Sequence, residues 1–235
     1  MNDLHMCWFV DAWRDTRNRY LQAWSEAGWH VVLWHAGQLT AAPENVEMVD
    51  VRELLHDAPH FDYELAHASH AACADLFRFE VLRRLGGGYS DLDVLPNEAR
   101  AESEARFGAP QCNPAALEIR FLTASSDDPL ISAVIEAQHA REEHFLAGGG
   151  YGPHYPFARR NDRSSRVKDR IPQRTGPALV KKVVQAYADA QHTPFAHYLI
   201  PNATIDSTTE NHEEHFSASF PKIRRAVAAK YRSYL

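Results

Sequence analysis

Two carboxylates, Asp91 and Asp93, bracket an apolar residue in Tyr89-Ser90-Asp91-Leu92-Asp93-Val94-Leu95. Apolar and polar residues alternate there, which predicts a short strand with Leu92 and Val94 on one face and both carboxylates on the other. Ionised carboxylates that close together repel unless a cation lies between them, and hard oxygen donors suit Mg2+ or Mn2+. A solvated strand end would carry the same pattern, so the pair alone leaves both readings open. A second polar pair lies upstream: Asp75 and Arg78 stand at i and i+3, on one side of any helix that carries them.

Chemistry at these residues needs elements that hold them. Leu65, Ala68, Ala72, Leu76, Phe79, Leu82 and Leu85 recur at spacings of three and four, which predicts one helical run with a single buried stripe. Gly86, Gly87 and Gly88 can take positive φ, so a C-terminal cap and a sharp reversal into the strand are expected after it.

With helix, glycine stop and carboxylate pair in place, residues 74 to 94 resemble the sugar-binding region of the DxD glycosyltransferases. That family includes fungal outer-chain mannosyltransferases, capsule and lipid-glycan transferases and, more distantly, the glucosylating domain of large clostridial toxins. Its pattern, Ser/Ala-Asp-x-x-Arg-x-x-x-Leu-x-x-x-Gly-Gly-x-Tyr-x-Asp-x-Asp, is met at Ala74, Asp75, Arg78, Leu82, Gly86, Gly87, Tyr89, Asp91 and Asp93. The resemblance implies an α/β, GT-A-like nucleotide-sugar-binding fold with a mixed, mostly parallel central sheet flanked by helices. It implies a metal-dependent transfer, with retention, from a nucleotide-sugar donor, UDP-sugar favoured and GDP-mannose an alternative, to an unknown acceptor. Asp75, Arg78 and Asp93 form the implied catalytic set. Mn2+ or Mg2+ is assigned to Asp91, Asp93 and His215, with His212 and Glu214 as nearby competitors for the third place.

Donor contacts implied by the same resemblance are Trp8, Phe9, Val10 and Asp11 at the first strand, Asp75, Arg78, Tyr89, Ser90 and Asp91 at the centre, and Ser219 and Phe220 near the C-terminus. The chain departs from the family in three places. Ala12-Trp13-Arg14 replaces the usual Trp-x-Gly, Arg120 and Phe121 stand where Asn is frequent, and Phe220 stands where Trp is usual.

The remaining chain reads as βαβ grammar. Strands are expected at 6–10, 29–34, 45–50, 117–122 and 198–201. Helices are expected at 12–27, from the Asp127-Asp128-Pro129 start to about Glu143, from Pro177 to Ala190 with Thr175 as its cap, and from Pro221 to Leu235. Residues 148–175 differ in composition: a glycine-rich entry precedes Arg159, Arg160, Arg163, Arg166, Lys168, Arg170 and Arg174. A mobile basic loop is expected there, acting as a lid over a diphosphate, an acceptor site, or a docking element for modified nucleic acid.

Bulk properties narrow the classes. A chain of 235 residues is long enough for one well-buried domain spanning 1–235. The formal charge of −6 argues against a generic nucleic-acid binder. Three cysteines without Cys-x-x-Cys spacing suggest free thiols, and the dispersed histidines, His67 and His70 included, suggest no zinc site. No run approaches the roughly 18 apolar residues of a membrane span, and the N-terminus lacks signal-peptide blocks, so a cytoplasmic protein is expected. Had one carboxylate been missing, a non-catalytic nucleotide-sugar or metal-binding module would have been the stronger reading.

Overall fold

The computed structural model describes residues 3–9, 13, 15–37, 39, 46–67, 69–96, 104–110, 117–150 and 171–203. Seven strands form a single sheet: β1 (Asp3–Trp8), β2 (His30–His35), β3 (Glu47–Asp50), β4 (Gly87–Ser90), β5 (Arg106–Pro110), β6 (Glu118–Ala124) and β7 (Leu199–Ala203). They lie in the order β3-β2-β1-β4-β6-β5-β7. β6 runs antiparallel to both of its neighbours and every other pairing is parallel. The expected mixed, mostly parallel sheet is therefore present. β5 is not visible as a pattern, because Arg106-Phe107-Gly108-Ala109-Pro110 has neither alternation nor an apolar run. Its edges are supplied by β6 and β7 instead.

The helices are α1 (Asn18–Glu26), α2 (Pro59–Ala66), α3 (His70–Leu85), α4 (Pro129–Ala147) and α5 (Pro177–Ala190). α1 is shorter than the expected 12–27, since residues 15–17 form a 3-10 turn. α4 starts as its sequence predicts: the Asp128 carboxylate accepts from the amides of Leu130 at 2.8 Å and Ile131 at 3.1 Å, with Pro129 next in line. The expected single run from Leu65 to Leu85 is instead two helices, α2 and α3. The backbone turns at Ser69, whose amide bonds back to the Glu64 carbonyl at 2.9 Å. Leu85, the last member of that stripe, is 52% exposed, because the helix has already begun to leave the core.

The reversal after α3 depends on glycine. Gly86 and Gly87 have φ of +69° and +91°, and a Cβ at Gly87 would lie 2.5 Å from the Asp3 carbonyl oxygen. Gly88 is extended in β4, where the missing side chain leaves room for the Trp29 ring. The buried imidazole of His5 fixes the same corner. Trp34 can only donate, so its Nε1–H bonds His5 Nδ1 at 3.2 Å, and His5 Nε2–H then donates to the Gly86 carbonyl at 3.2 Å. Both ring nitrogens are thus used in the neutral form. Burial pushes the His5 pKa down to about 4.

A buried ion cluster ties α2 and α4 to the helical turn Ile171–Arg174. Arg174 Nη2 lies 2.9 Å from Glu64 Oε1 and Nε lies 2.8 Å from Glu142 Oε1, with the guanidinium 3.9 Å from the Phe145 ring centroid. Arg174 was grouped above with the exposed basic loop. Its acidic partners come from helices more than thirty residues away in sequence, so no local charge pattern shows them. Residues 151–170 of that expected loop, the helix expected at Pro221 to Leu235, and Cys112 lie outside the described residues. Cys7 and Cys73 are free thiols.

Two stability slopes of opposite sign follow. Below pH about 6.5 the unfolded chain protonates His5 while the folded chain holds it neutral down to about 4, so stability is lost as pH falls through that window. The shift amounts to roughly 3 kcal/mol at most. Urea midpoints measured from pH 7 to 4.5 should fall less steeply in His5→Gln, which starts from a lower midpoint. Glu142 behaves in reverse: burial and the neighbouring Glu64 hold its carboxyl above the ordinary 4.5, so stability is lost as pH rises above that value. Glu142→Gln keeps a hydrogen-bonding side chain and should flatten the alkaline limb of the same curve, measured by thermal melts from pH 6 to 9.

Candidate active site

β1 and β4 run parallel and β6 runs against them, so the carboxyl ends of β1 and β4 meet the amino end of β6 at one edge of the sheet. α3 returns antiparallel to β4 through the glycine corner, which brings Asp75 and Arg78, near the middle of the helix, to that same edge. Open α/β sheets bind ligands at such edges.

Arg78 is the centre of the cluster. Its side chain is 5% exposed, and Nη2 lies 3.0 Å from Asp75 Oδ1 and 3.5 Å from Asp91 Oδ1. Nη1 donates to the Ile119 carbonyl, Nε donates to the Ala74 carbonyl at 3.2 Å, and the guanidinium stands 4.8 Å from the Tyr89 ring centroid. Every nitrogen of this fork is therefore committed. Tyr89, fully buried, donates its hydroxyl proton to Asp91 Oδ1 at 2.8 Å and sits 3.3 Å from Cys7 Sγ. Burial raises the Tyr89 phenol and pushes the Cys7 thiol up to about 12, so both stay protonated at neutral pH.

Asp75 is held from the opposite side. Thr175 Oγ1 donates to Asp75 Oδ2 at 3.3 Å, while Gln138 Nε2 donates to the carbonyls of Asp75 at 3.0 Å and Thr175 at 2.6 Å. Thr175 does not cap α5, contrary to expectation. Gly176 occupies that position, and the threonine hydroxyl is instead spent on the buried Asp75 carboxylate, which needs a donor. Burial raises the Asp75 pKa to about 6 against the pull of Arg78, which leaves it ionised above neutrality. Gln138 escapes sequence reasoning, since it sits inside an ordinary helix and its partners are both backbone atoms.

The carboxylate pair is not on a strand. β4 ends at Ser90, and Asp91 to Val94 form a turn closed by the Val94 amide on the Asp91 carbonyl at 3.3 Å. The period-two reading of Leu92 and Val94 as buried survives, but the backbone that buries them is curved. The turn is pinned by α1 and its leading 3-10 turn: Arg17 Nη1 donates to the Leu92 carbonyl at 2.8 Å and Trp24 Nε1 to the Val94 carbonyl at 2.9 Å. The Asp91 amide bonds the Arg120 carbonyl at 2.7 Å, which locks the turn onto β6. Asp93 Oδ2 faces Arg120 Nη1 at 3.7 Å, and Arg120 Nε lies 3.3 Å from Glu118 Oε2. Ser90 is fully buried and donates its hydroxyl to the Asp91 carbonyl at 3.0 Å.

Trp8 and Phe9 emerge at the same edge. Trp8 packs against Trp13 at 5.6 Å, and Phe9 lies in the core against Phe61 at 5.3 Å and Phe77 at 5.6 Å. Val10, Asp11, His212, Glu214, His215, Ser219 and Phe220 lie outside the described residues. Asp75, Arg78, Tyr89, Ser90 and Asp91 are thus brought into one bonded cluster, with Asp93 two residues further along the turn.

The donor set suits a hard divalent cation. Asp91 and Asp93 present carboxylate oxygens on side chains that keep 26% and 12% exposure, and arginines already neutralise each from the protein side. Among the described residues no third His, Cys, Asp or Glu joins them in a metal-holding group.

Residues 11–105 match the family described as glycosyltransferase sugar-binding region containing DXD motif. No curated protein matches the chain. Solved structures with the same architecture include the ligand-free glycosyltransferase domain from the YGT toxin, at 11% identity over 93% of this chain and 83% of that one, TM-score 0.62. Its UDP-bound form aligns at 10% identity over 92% and 82%, TM-score 0.59. The catalytic domain of alpha-toxin from Clostridium novyi aligns at 9% identity over 92% and 76%, TM-score 0.58. Identities this low speak to fold alone, and the fold is the mixed GT-A-like sheet that the resemblance implied. Residues 11–105 thus resemble the sugar-binding region of the DXD-motif glycosyltransferases, and they are set on a sheet like that of toxin glycosyltransferase domains.

Proposed function

We propose that residues 1–235 act as one glycosyltransferase domain that moves a sugar, with retention, from a nucleotide-sugar donor to an acceptor that the chain does not identify. A UDP-sugar is the favoured donor, and the UDP carried by the YGT toxin domain is in keeping with that choice. The observation that carries the reading is the Asp75–Arg78–Asp91–Tyr89 cluster at the carboxyl edge of β4, buried except at Asp91, with Asp93 beside it. Ion pairs of this kind are costly to bury and are weak evidence for stability, so their concentration at a ligand-binding edge supports a functional use.

Roles divide by the contacts that each side chain already makes. Asp75, ionised and oriented by Thr175 and Arg78, accepts hydrogen bonds from donor sugar hydroxyls. Arg78 holds Asp75 and Asp91 in register with each other, since its nitrogens are spent on protein atoms. Tyr89 fixes one oxygen of Asp91, which leaves the other for a ligand. Asp91 and Asp93 would hold Mn2+ or Mg2+, with His215 as the further ligand, and a cation there supplies neutralisation of the charge on a departing nucleoside diphosphate. Trp8 stands at the first strand as a wall for the base. No side chain in the described cluster is an activated nucleophile, which accords with acceptor attack on the same face that the diphosphate leaves.

The test is release of free nucleoside diphosphate from UDP-glucose, UDP-galactose, UDP-GlcNAc and GDP-mannose in Mn2+, with chelator as the control. Asp93→Asn is the informative variant. Removing Arg78 would strand the buried Asp75 carboxylate and leave Asp91 without its counter-ion, at a cost of about 3–5 kcal/mol, and confound folding with chemistry. Asp93→Asn should melt close to wild type yet lose at least about 100-fold in diphosphate release, the scale of one lost electrostatic stabiliser. Turnover that is unchanged in Asp93→Asn, or in chelator, contradicts the reading.

A further inference from the structure

Each carboxylate of the pair faces its own arginine, and the two arginines are held in opposite ways. Arg78 is 5% exposed and all its nitrogens are engaged, so it cannot leave Asp91. Arg120 is 32% exposed, and its contact with Asp93 is a single one at 3.7 Å, longer than a hydrogen bond. Its backbone is fixed, because its carbonyl accepts the Asp91 amide at 2.7 Å. Its Nε end is held by Glu118 Oε2 at 3.3 Å. Only the outer end of the guanidinium is therefore able to change partner.

We propose that Arg120 is an exchangeable counter-ion, resting on the donor-site reading above. It neutralises Asp93 while no divalent cation is bound, and yields that carboxylate to the cation, after which its outer nitrogens turn to the diphosphate of the donor. The charges require such an exchange. A cation and a guanidinium sharing Asp93 repel each other, whereas a diphosphate arriving with the cation offers the guanidinium a better partner in the bidentate geometry that arginine prefers. Glu118 keeps Nε in place and leaves Nη1 and Nη2 to make the new contact. Arg120 is thus a positioning residue with two states, and its presence weakens cation binding while strengthening donor binding.

Those opposite signs make the test specific. Mn2+ affinity of the nucleotide-free protein is measured by calorimetry or by Mn2+ electron paramagnetic resonance, and UDP affinity by calorimetry at saturating Mn2+, for wild type, Arg120→Gln and Arg120→Lys. Arg120→Gln should bind Mn2+ about threefold more tightly, since a partly exposed ion pair no longer competes. It should bind UDP about tenfold more weakly, the value of one charge-assisted contact. Arg120→Lys should recover part of the UDP affinity. In chelator Arg120→Gln should melt below wild type, and added Mn2+ should raise its melting temperature by more than it raises that of wild type.

A merely structural arginine would lower both affinities together, and that outcome overturns the exchange. So does a Mn2+ affinity left unchanged. If Asp93→Asn binds Mn2+ and UDP as wild type does, the donor-site reading fails first. If Asp93→Asn loses Mn2+ while Arg120→Gln matches wild type in both titrations, only the exchange fails.

Discussion

A buried guanidinium that must satisfy two carboxylates organises this molecule. Arg78 cannot be removed from water unless acids and carbonyls surround it, and the fold supplies them from four places: Ala74 and Asp75 on α3, Asp91 after β4, Ile119 on β6 and the Tyr89 ring on β4. Meeting that demand forces α3 to run back along β4. It also forces β6 to come in antiparallel with its amino end at the carboxyl ends of β1 and β4. The glycine corner at Gly86 and Gly87 is what permits so tight a return, with the Asp3 backbone too close for any side chain.

Polar interactions extend from that centre in two directions with different characters. Inward lie Tyr89, Thr175 and Gln138, with the half-buried Cys7 against Tyr89, and next to Thr175 comes Arg174 with Glu64 and Glu142; apart from Cys7 these groups are buried and paired. A low-dielectric surround makes each of these contacts strong and each loss expensive. Outward lie Arg120 and Glu118, both partly open to water, and the longer contact that Arg120 makes with Asp93 at the rim. Ligand exchange belongs on the outer side, where screening keeps any one contact cheap to break.

The turn that carries Asp93 shows why a stiff neighbour is useful to an exposed site. Arg17 in the 3-10 turn and Trp24 on α1 hold the Leu92 and Val94 carbonyls, and Trp24 itself stacks on Phe121 of β6 at 5.2 Å. The first helix after β1 therefore reaches across to the carboxylate turn, and an aromatic contact ties it to the strand that bears Arg120. A site built from short segments gains its precision from such remote anchors.

Much of this was legible in the chain itself. Side-chain type and local period determined that a helix, a glycine reversal and a pair of acids follow one another between Ala72 and Val94, because helix propensity, positive φ and carboxylate charge are properties of neighbouring residues. The same holds for the Asp128 cap and for β2, where the continuous apolar run from Val31 to Trp34 marks a buried parallel strand. Tertiary structure alone decided the rest. It split the run at Ser69 into two helices, bent the acidic pair out of β4 into a turn, drew Thr175 inward to Asp75, gave Arg174 its acids and placed Arg120 opposite Asp93. Each of these outcomes pairs groups far apart along the chain. A buried charge takes whichever partner the packing brings within reach, and that choice is made in space, where sequence distance carries no information.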